Sequence, residues 1–409
     1  MTEIREVNVD ELRHLVSERA ARGETMLLNM GPQHPSTHGV LRLLLELDGE
    51  IVINCVPDIG FLHTGIEKNM EAKTYQKAEV MTDRTDYLNP MGNNLTYCLT
   101  LEKLLELDVP ARAQAIRVIL AELTRINSHL VWMGTSALDL AAMSLFLYAM
   151  VEREMILDIF ELISGARMMT TYIRPGGLWR DVPAEFEDAV RKFIGIMPDR
   201  IDEYERMLTD NELFLDRTKG IGVITAEQCI QWGVTGPVIR AAGMPYDIRK
   251  ALPYSGYEQY DFDIPTHTDG DVFARYIVRV NEMRQSVRII EQALDRLPMG
   301  PVRSNNRKIV PPPRSELGIS MESLIHHFKL WTEGFPVPKG GVYLATESPR
   351  GELGFYIESD GSSHPLRVRM RTPTFVNLQT MPLLSRGHFV ADVVGIIGSI
   401  DIVLGDCDR

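Results

Sequence analysis

Residues 110–132, PARAQAIRVILAELTRINSHLVW, decide the architecture. Ile116, Ile119, Leu120, Leu123, Ile126 and Leu130 recur at three- and four-residue spacing, which places them on one face of an α-helix. Pro110 suits the first helical turn, where its missing N–H leaves nothing unsatisfied. The spacing predicts one long amphipathic helix ending near Trp132. A second helix is expected over 137–163, ending near Gly165. A third, over 271–297, repeats the pattern with Phe273, Ile277, Val280, Val287, Ile290 and Leu294. A bundle of long helices therefore forms the centre.

Outward from the bundle the period changes. Residues 40–47 and 51–56 are β-rich runs joined by Asp48-Gly49-Glu50, the pattern of a hairpin. Beyond Pro311-Pro312-Pro313 a short helix is expected over 321–331. Leu366, Val368 and Met370 then alternate with Arg367, Arg369 and Arg371, predicting a small sheet. Residues 198–210 alternate charges at helical spacing and read as a solvated or subunit-facing helix face. The expected fold class is α+β, mainly α, with small β elements at both ends of the bundle. A polar leader, residues 1–24, precedes one domain over 25–409. Its parts are a hairpin region (25–60), the bundle (61–300) and a mixed C-terminal region (301–409).

With 409 residues, 44% of them hydrophobic and 24% charged, the chain has enough apolar surface for a large core. A net charge of -13, with acids and bases interspersed, argues against nucleic acid and for protein partners. The first 24 residues lack an apolar signal region, so retention in the cytoplasm is expected. Residues 138–150 form the longest apolar stretch, too short to span a bilayer and carrying Asp139, so they read as a buried core helix. Membrane association would then be peripheral. Cys55, Cys98, Cys229 and Cys407 show no CxxC spacing, which fits a reducing compartment and argues against a cysteine-ligated cluster in this chain.

Chemistry-bearing residues gather in a few places. The loop GPQHPSTHG, residues 31–39, holds His34 and His38 among turn formers, and such a loop ahead of a strand aims a histidine into a cleft or simply caps turns. Asp139 lies in an apolar setting, where a buried carboxylate needs a partner such as histidine; a water-facing helix end explains it equally. Tyr87, within TDRTDYLN (82–89), reads by itself as packing. Phe146, Tyr148, Met168 and Met169 read as core filling. No glycine-rich phosphate loop or nucleophile elbow occurs, and His326-His327 lacks the i, i+4 spacing of a helical zinc pair, so NADH binding by this chain is not expected.

Seven blocks in order carry a resemblance: MGPQHPSTHGVLRLLLELDGE, IGFLHTGIEKNMEAKTY, SHLVWMGTSALDL, YIRPGG, PYSGYE, RGELGFYIESDG and PTFVNLQ. Together they resemble the D-type, or 49 kDa-type, subunit family of bacterial NADH-quinone oxidoreductase, the hydrogenase-like large subunits of respiratory complex I, from about Glu24 to Arg409. The resemblance implies descent from nickel-iron hydrogenase large subunits with the metal ligands lost. Asp86 and Asn89 stand where the first thiolate pair would sit, and Val403 and Asp406 lie in the segment matching the second, so no metal is expected in this chain.

By the same resemblance the emptied cavity takes a quinone, ubiquinone or menaquinone. His38 and Tyr87 are implied as headgroup ligands and proton donors, Asp139 as the partner of His38, and His34, Thr135 and Val403 as pocket residues. Arg84 is implied to lie near a [4Fe-4S] cluster carried by a neighbouring protein, although an ordinary surface ion pair also explains it. Met169 stands where many relatives have a histidine. Methionine takes up no proton, so a weakly pH-dependent cluster potential is expected. Implied partners are the other complex I subunits: the cluster-bearing small B-type one, the C-type, the ferredoxin-like I-type and the membrane-embedded H-type, with this chain on the cytoplasmic side of the inner membrane. Rival readings are the same protein fed by ferredoxin or a deazaflavin, a non-catalytic docking scaffold and, with little weight, a true hydrogenase.

Overall fold

The leucine run between positions 41 and 47 builds the first sheet. In the computed structural model, which describes residues 24–33, 39–140 and 142–409, strands β1 (Met26–Met30), β2 (Arg42–Asp48) and β3 (Ile51–Asp58) pair antiparallel in that order. Leu45 stands opposite Cys55 and Leu44 opposite Val56. The expected hairpin is present, turning at Gly49 with φ 64°, a conformation that glycine adopts without strain. Strand β1 was not foreseen, because MLLNM is too short to show alternation. The leader, apart from Glu24, and the histidines of the 31–39 loop lie outside the described residues.

Three helices follow: α1 (Ile66–Glu71), α2 (Tyr75–Thr82) and α3 (Pro90–Leu105). The bundle then comprises α4 (Ala111–Asp139), α5 (Met143–Ser164), α6 (Glu185–Leu208) and α7 (Val272–Asp295). Between α5 and α6 a two-residue ladder pairs β4 (Ile173–Arg174) with β5 (Gly177–Leu178). Helix α8 (Met321–Thr332) leads to an antiparallel sheet of β6 (Gly340–Ser348), β7 (Gly351–Ser359) and β8 (Arg367–Arg371). Helices α9 (Val390–Ile400) and α10 (Leu404–Asp408) close the chain.

Several boundaries differ from expectation. Helix α4 does not stop near Trp132 but continues to Asp139, absorbing the expected start of the second helix. Apolar periodicity lapses at Gly134-Thr135-Ser136, yet the helix persists. The Thr135 hydroxyl bonds the Val131 carbonyl at 2.9 Å, and Gly134 lets α5 cross so closely that a Cβ there would stand 3.3 Å from Phe146. Residues 138–150 are therefore not a buried core helix. A turn interrupts them, and Leu138, Met143, Leu147 and Tyr148 are exposed, which also corrects the reading of Tyr148 as core. The charged run over 198–210 falls largely within α6, which holds Pro198 in its interior. Helix α5 does end at Gly165, in the left-handed conformation expected of a glycine cap.

Among the described residues three large apolar cores result, beside a small cluster of Ala241, Ala274 and Val278. The largest joins α3 to α7; another packs the first sheet against α9 and the 402–407 segment; the third sets α1–α3 against the C-terminal sheet. In that sheet Val368 and Met370 point inward as their alternation predicts, whereas Leu366, just outside the strand, is exposed. Charge also enters the bundle in pairs. Arg117 grips Glu102 with both terminal nitrogens, Glu122 receives Arg249, and Arg240 bridges Glu282 and Glu347. Such pairs fix how helices meet more than they stabilise them.

Candidate functional site

The turn after α2 is held by its own hydroxyls and by side chains of α3. Thr82 Oγ1 donates to the Glu79 carbonyl at 2.8 Å and Thr85 Oγ1 to the Thr82 carbonyl at 2.7 Å. Asn93 Nδ2, from α3, donates to the carbonyls of both Thr82 and Asp86 at 2.9 Å. A turn so satisfied is rigid. It presents Tyr87, half-buried, in a recess of about 560 Å³. Leu62, Ile66, Val80 and Met81 supply apolar walls, and Thr64, Arg84 and Gly405 complete the lining.

Two distant segments make that recess. The loop carrying Leu62 is tied to the chain's end: the Gly60 and Leu62 amides donate to the Asp408 carboxylate at 2.9 and 2.7 Å. Gly405 lies against the turn itself, where an added Cβ would stand 2.5 Å from the Thr85 carbonyl oxygen and 3.5 Å from the Tyr87 ring. Gly405→Ala is therefore expected to force these segments apart and destabilise the fold by about 1–3 kcal/mol, the usual cost of overpacking. Chemical denaturation reads this out directly, and an unchanged midpoint would show that the contact is not tight.

Behind Tyr87 lies a buried charge cluster. The Arg350 guanidinium, fully buried, donates to Asp86 Oδ2 at 2.7 Å, Asp401 Oδ1 at 3.1 Å, the Asp401 carbonyl at 3.0 Å and Ser128 Oγ at 3.1 Å. Asp406, also buried, accepts from the Thr374 amide at 3.0 Å. Burial pushes the Asp86 carboxyl up to about 7, with Arg350 opposing and Asp406 and Asp401 reinforcing the rise. Burial likewise raises the Tyr87 phenol, so it stands protonated as a donor. Asp86 thus pairs directly with a guanidinium, and Asp406 lies within its electrostatic reach. Among the described residues no group of three or more His, Cys, Asp or Glu is arranged to hold a metal ion. Asn89 lies buried at the start of α3.

Arg84 is exposed on the turn, its Nη1 2.6 Å from the Val80 carbonyl and 3.7 Å from Asp83 Oδ2. Asp83 also accepts from the Thr171 amide and hydroxyl at 3.1 and 2.5 Å, so one carboxylate ties Arg84 to the segment just after half-buried Met169. Met169 carries no titrating proton, whereas Asp83 is an ionisable group close by.

Burial raises three acids in sequence here: Glu79 to about 8, Asp83 to about 6 and Asp86 to about 7. A carboxyl raised in the folded state binds more protons folded than unfolded. Each group therefore subtracts stability as pH climbs from its ordinary value to its raised one. Thermal stability is expected to decline between pH 4.5 and 8, and Glu79→Gln to flatten the upper part of that decline. A melting series across pH checks the sign, and an equally steep decline in the variant would contradict it.

Other expected site residues fall elsewhere. Asp139 ends α4 and, with Trp132, Ser136 and Tyr276, lines a second cavity of about 20 Å³, barely the room of one water. Thr135, one helical turn earlier, is half-buried with its hydroxyl committed to its own helix. Val403 is buried at the start of α10, between Ile402 and Leu404 of the second core. His34 and His38 lie outside the described residues, but the ends of their loop are fixed. Gly31 abuts Leu41 so closely that a Cβ would meet its carbonyl oxygen at 2.2 Å, and Met30 and Leu41 share the core of Ile402 and Leu404.

Sequence reasoning missed Arg350, Asp401, Asp83 and Glu79. Arg350 occupies the turn of the β6–β7 hairpin, where side chains are ordinarily exposed, so only its place in the RGELGFYIESDG block marked it.

Comparison with known proteins adds independent findings. The family described as respiratory-chain NADH dehydrogenase, 49 Kd subunit, matches residues 139–409. A D-type NADH-quinone oxidoreductase subunit of Chloroflexus aurantiacus is 62% identical over 95% of this chain and 96% of its own length. The D-type protein of a Roseiflexus species is 63% identical over 95% of this chain and 94% of its own. That of Trichlorobacter lovleyi is 54% identical over 95% and 100%.

Proposed function

Because the chain belongs to the 49 kDa, or D-type, subunit family of NADH-quinone oxidoreductases, we propose that it holds a quinone headgroup at Tyr87 for reduction. The relatives' names assign them to an oxidoreductase complex that reduces quinone. The observation that carries the proposal for this chain is the recess itself. About 560 Å³ falls within the size range of small-molecule sites, and its walls are mainly apolar around one phenol, one cation and the Thr64 side chain.

In this reading two electrons arrive from a [4Fe-4S] cluster carried by the small B-type partner, near Arg84 and Met169. Quinone reduction also needs two protons. The Tyr87 phenol donates a hydrogen bond to one carbonyl and then its proton; protonated His38 serves the other carbonyl and becomes neutral on giving up its proton, which leaves the Asp139 carboxylate as the remaining charge. His34, Thr135 and Val403 are proposed to meet the ring and tail beyond the Tyr87 recess, whose lining includes neither Thr135 nor Val403. The C-type, I-type and H-type proteins of the complex are the further proposed partners. No described helix is long and apolar enough to cross a membrane; the family membership is what places the chain, in this proposal, peripherally at the cytoplasmic face of the inner membrane beside membrane-embedded partners. Proton pumping then belongs to those partners.

A photoreactive short-tail quinone tests the reading in the assembled complex. Labelling is expected on peptides containing Leu62, Tyr87 or Gly405, suppressed by excess quinone. Labelling confined to other proteins of the complex would leave this chain a docking scaffold.

A further inference from the structure

Two carboxyl groups stand one helical turn apart where α2 runs into the Tyr87 turn, and the proposed chemistry uses neither. Glu79 is buried, and neither of its oxygens has a hydrogen-bond partner; its nearest cation is Arg174 Nε at 3.9 Å. Asp83 spends Oδ2 on Thr171, while its Oδ1 is buried without a partner. Asn94, from α3, faces Asp83 and likewise leaves its Oδ1 buried without a partner. Such atoms rarely stay unsatisfied in a native fold, and ordered water is the usual partner. The row has an outer end at Arg174, whose side chain is 30% exposed, and an inner end where Asp83 lies 3.7 Å from Arg84 in the recess lining.

The groups facing Glu79 narrow what the row can do. Tyr97, Cys98 and Glu102 face it from α3, Arg117 from α4 and Arg174 from β4. Arg117 is committed to Glu102. Burial raises the Tyr97 phenol and the Cys98 thiol well above their ordinary values, so neither releases a proton near neutrality. Glu79 and Asp83 are left as the groups here suited to proton exchange.

We propose that Glu79 and Asp83, linked by water, carry protons from the Arg174 surface to the Tyr87 recess. The proposal rests on the quinone reading. After the phenol has given its proton to the reduced ring, the phenolate regains one from the Asp83 carboxylic acid through water. The Asp83 carboxylate takes the proton of Glu79, and Glu79 takes one from solvent beside Arg174. No electron moves along this line, and each turn returns every group to its starting state.

The test compares Glu79→Gln, Glu79→Asp and Asp83→Asn in the assembled complex. Glutamine matches the shape of the protonated acid but passes no proton. Quinone turnover is expected to fall on the order of tenfold in E79Q and D83N. KM should be unchanged, the solvent deuterium effect should grow, and the shorter acid of E79D should restore part of the rate. A structural role predicts the reverse order, with glutamine tolerated better than aspartate. Wild-type turnover and isotope effect in E79Q would overturn the proposal. Should the variants not assemble, the infrared band of a protonated carboxyl in the wild-type complex decides: a shift on glutamate isotope labelling supports the line, and its absence overturns it. Tyr87→Phe separates the two ideas. Full turnover in that variant would sink the quinone reading itself, whereas impaired Y87F beside normal E79Q sinks only the proton line.

Discussion

Tyr87→Phe is expected to lower quinone turnover by the assembled complex on the order of a hundredfold while leaving the amount of complex unchanged. The ring is only half-buried and the surrounding turn is held by Thr82, Thr85 and Asn93, so losing the hydroxyl removes no packing and no structural hydrogen bond. What is lost is a protonated phenol at the recess, and a positioned proton donor contributes about 10²–10⁴-fold. KM for a short-tail quinone should change far less than turnover, because apolar walls supply most of the binding. Loss of the complex instead of loss of rate would make Tyr87 structural.

Arg350→Ala is expected to have the largest effect on the fold, about 3–5 kcal/mol, the usual cost of removing one partner of a buried charge network. The guanidinium is the common donor to Asp86, Asp401 and Ser128, joining the Tyr87 turn, the segment before α10 and helix α4. Without it, buried carboxylates face one another with no cation directly between them. The yield of assembled complex and its melting temperature should both drop. Arg350→Lys should recover only part, since an ammonium does not reproduce the fork that reaches two carboxylates at once. A stable, fully assembled R350A complex would contradict the role given to this cluster.

The helices were legible wherever apolar spacing was unbroken, as in α4 up to Leu130 and throughout α7. They were misread at Gly134-Thr135-Ser136, where close crossing of α5 demands small residues and erases the apolar signal without ending the helix. The N-terminal hairpin was visible in its turn residues. Strands β6 and β7 were not: Gly340-Gly341 and the charged Glu347-to-Glu352 turn region hide their alternation, and the hairpin is recognised only once Ser348 is seen opposite Gly351.

For the site, motif resemblance pointed to Tyr87, Asp86 and the 403–406 segment, which the fold places together around Arg350 and Gly405. Composition and periodicity could not have found that convergence, because Tyr87 and Gly405 stand at opposite ends of the sequence. Asp139 lines a different, narrower cavity, and α4's extra length explains why: it carries the carboxylate to the far end of the helix, beside Tyr276. Glu79 and Asp83 were invisible for another reason. Acids four residues apart at the end of a short helix ordinarily face water, and only the packed structure shows that these do not.

Whether the recess beside Tyr87 receives the quinone ring is settled by a structure of the assembled complex with a short-tail quinone bound, read as the distance from a ring carbonyl to Tyr87 Oη. Hydrogen-bond contact is expected, roughly 2.6–3.2 Å, with Leu62 and Ile66 against the ring. A ring bound elsewhere, with the recess filled only by solvent, would contradict it.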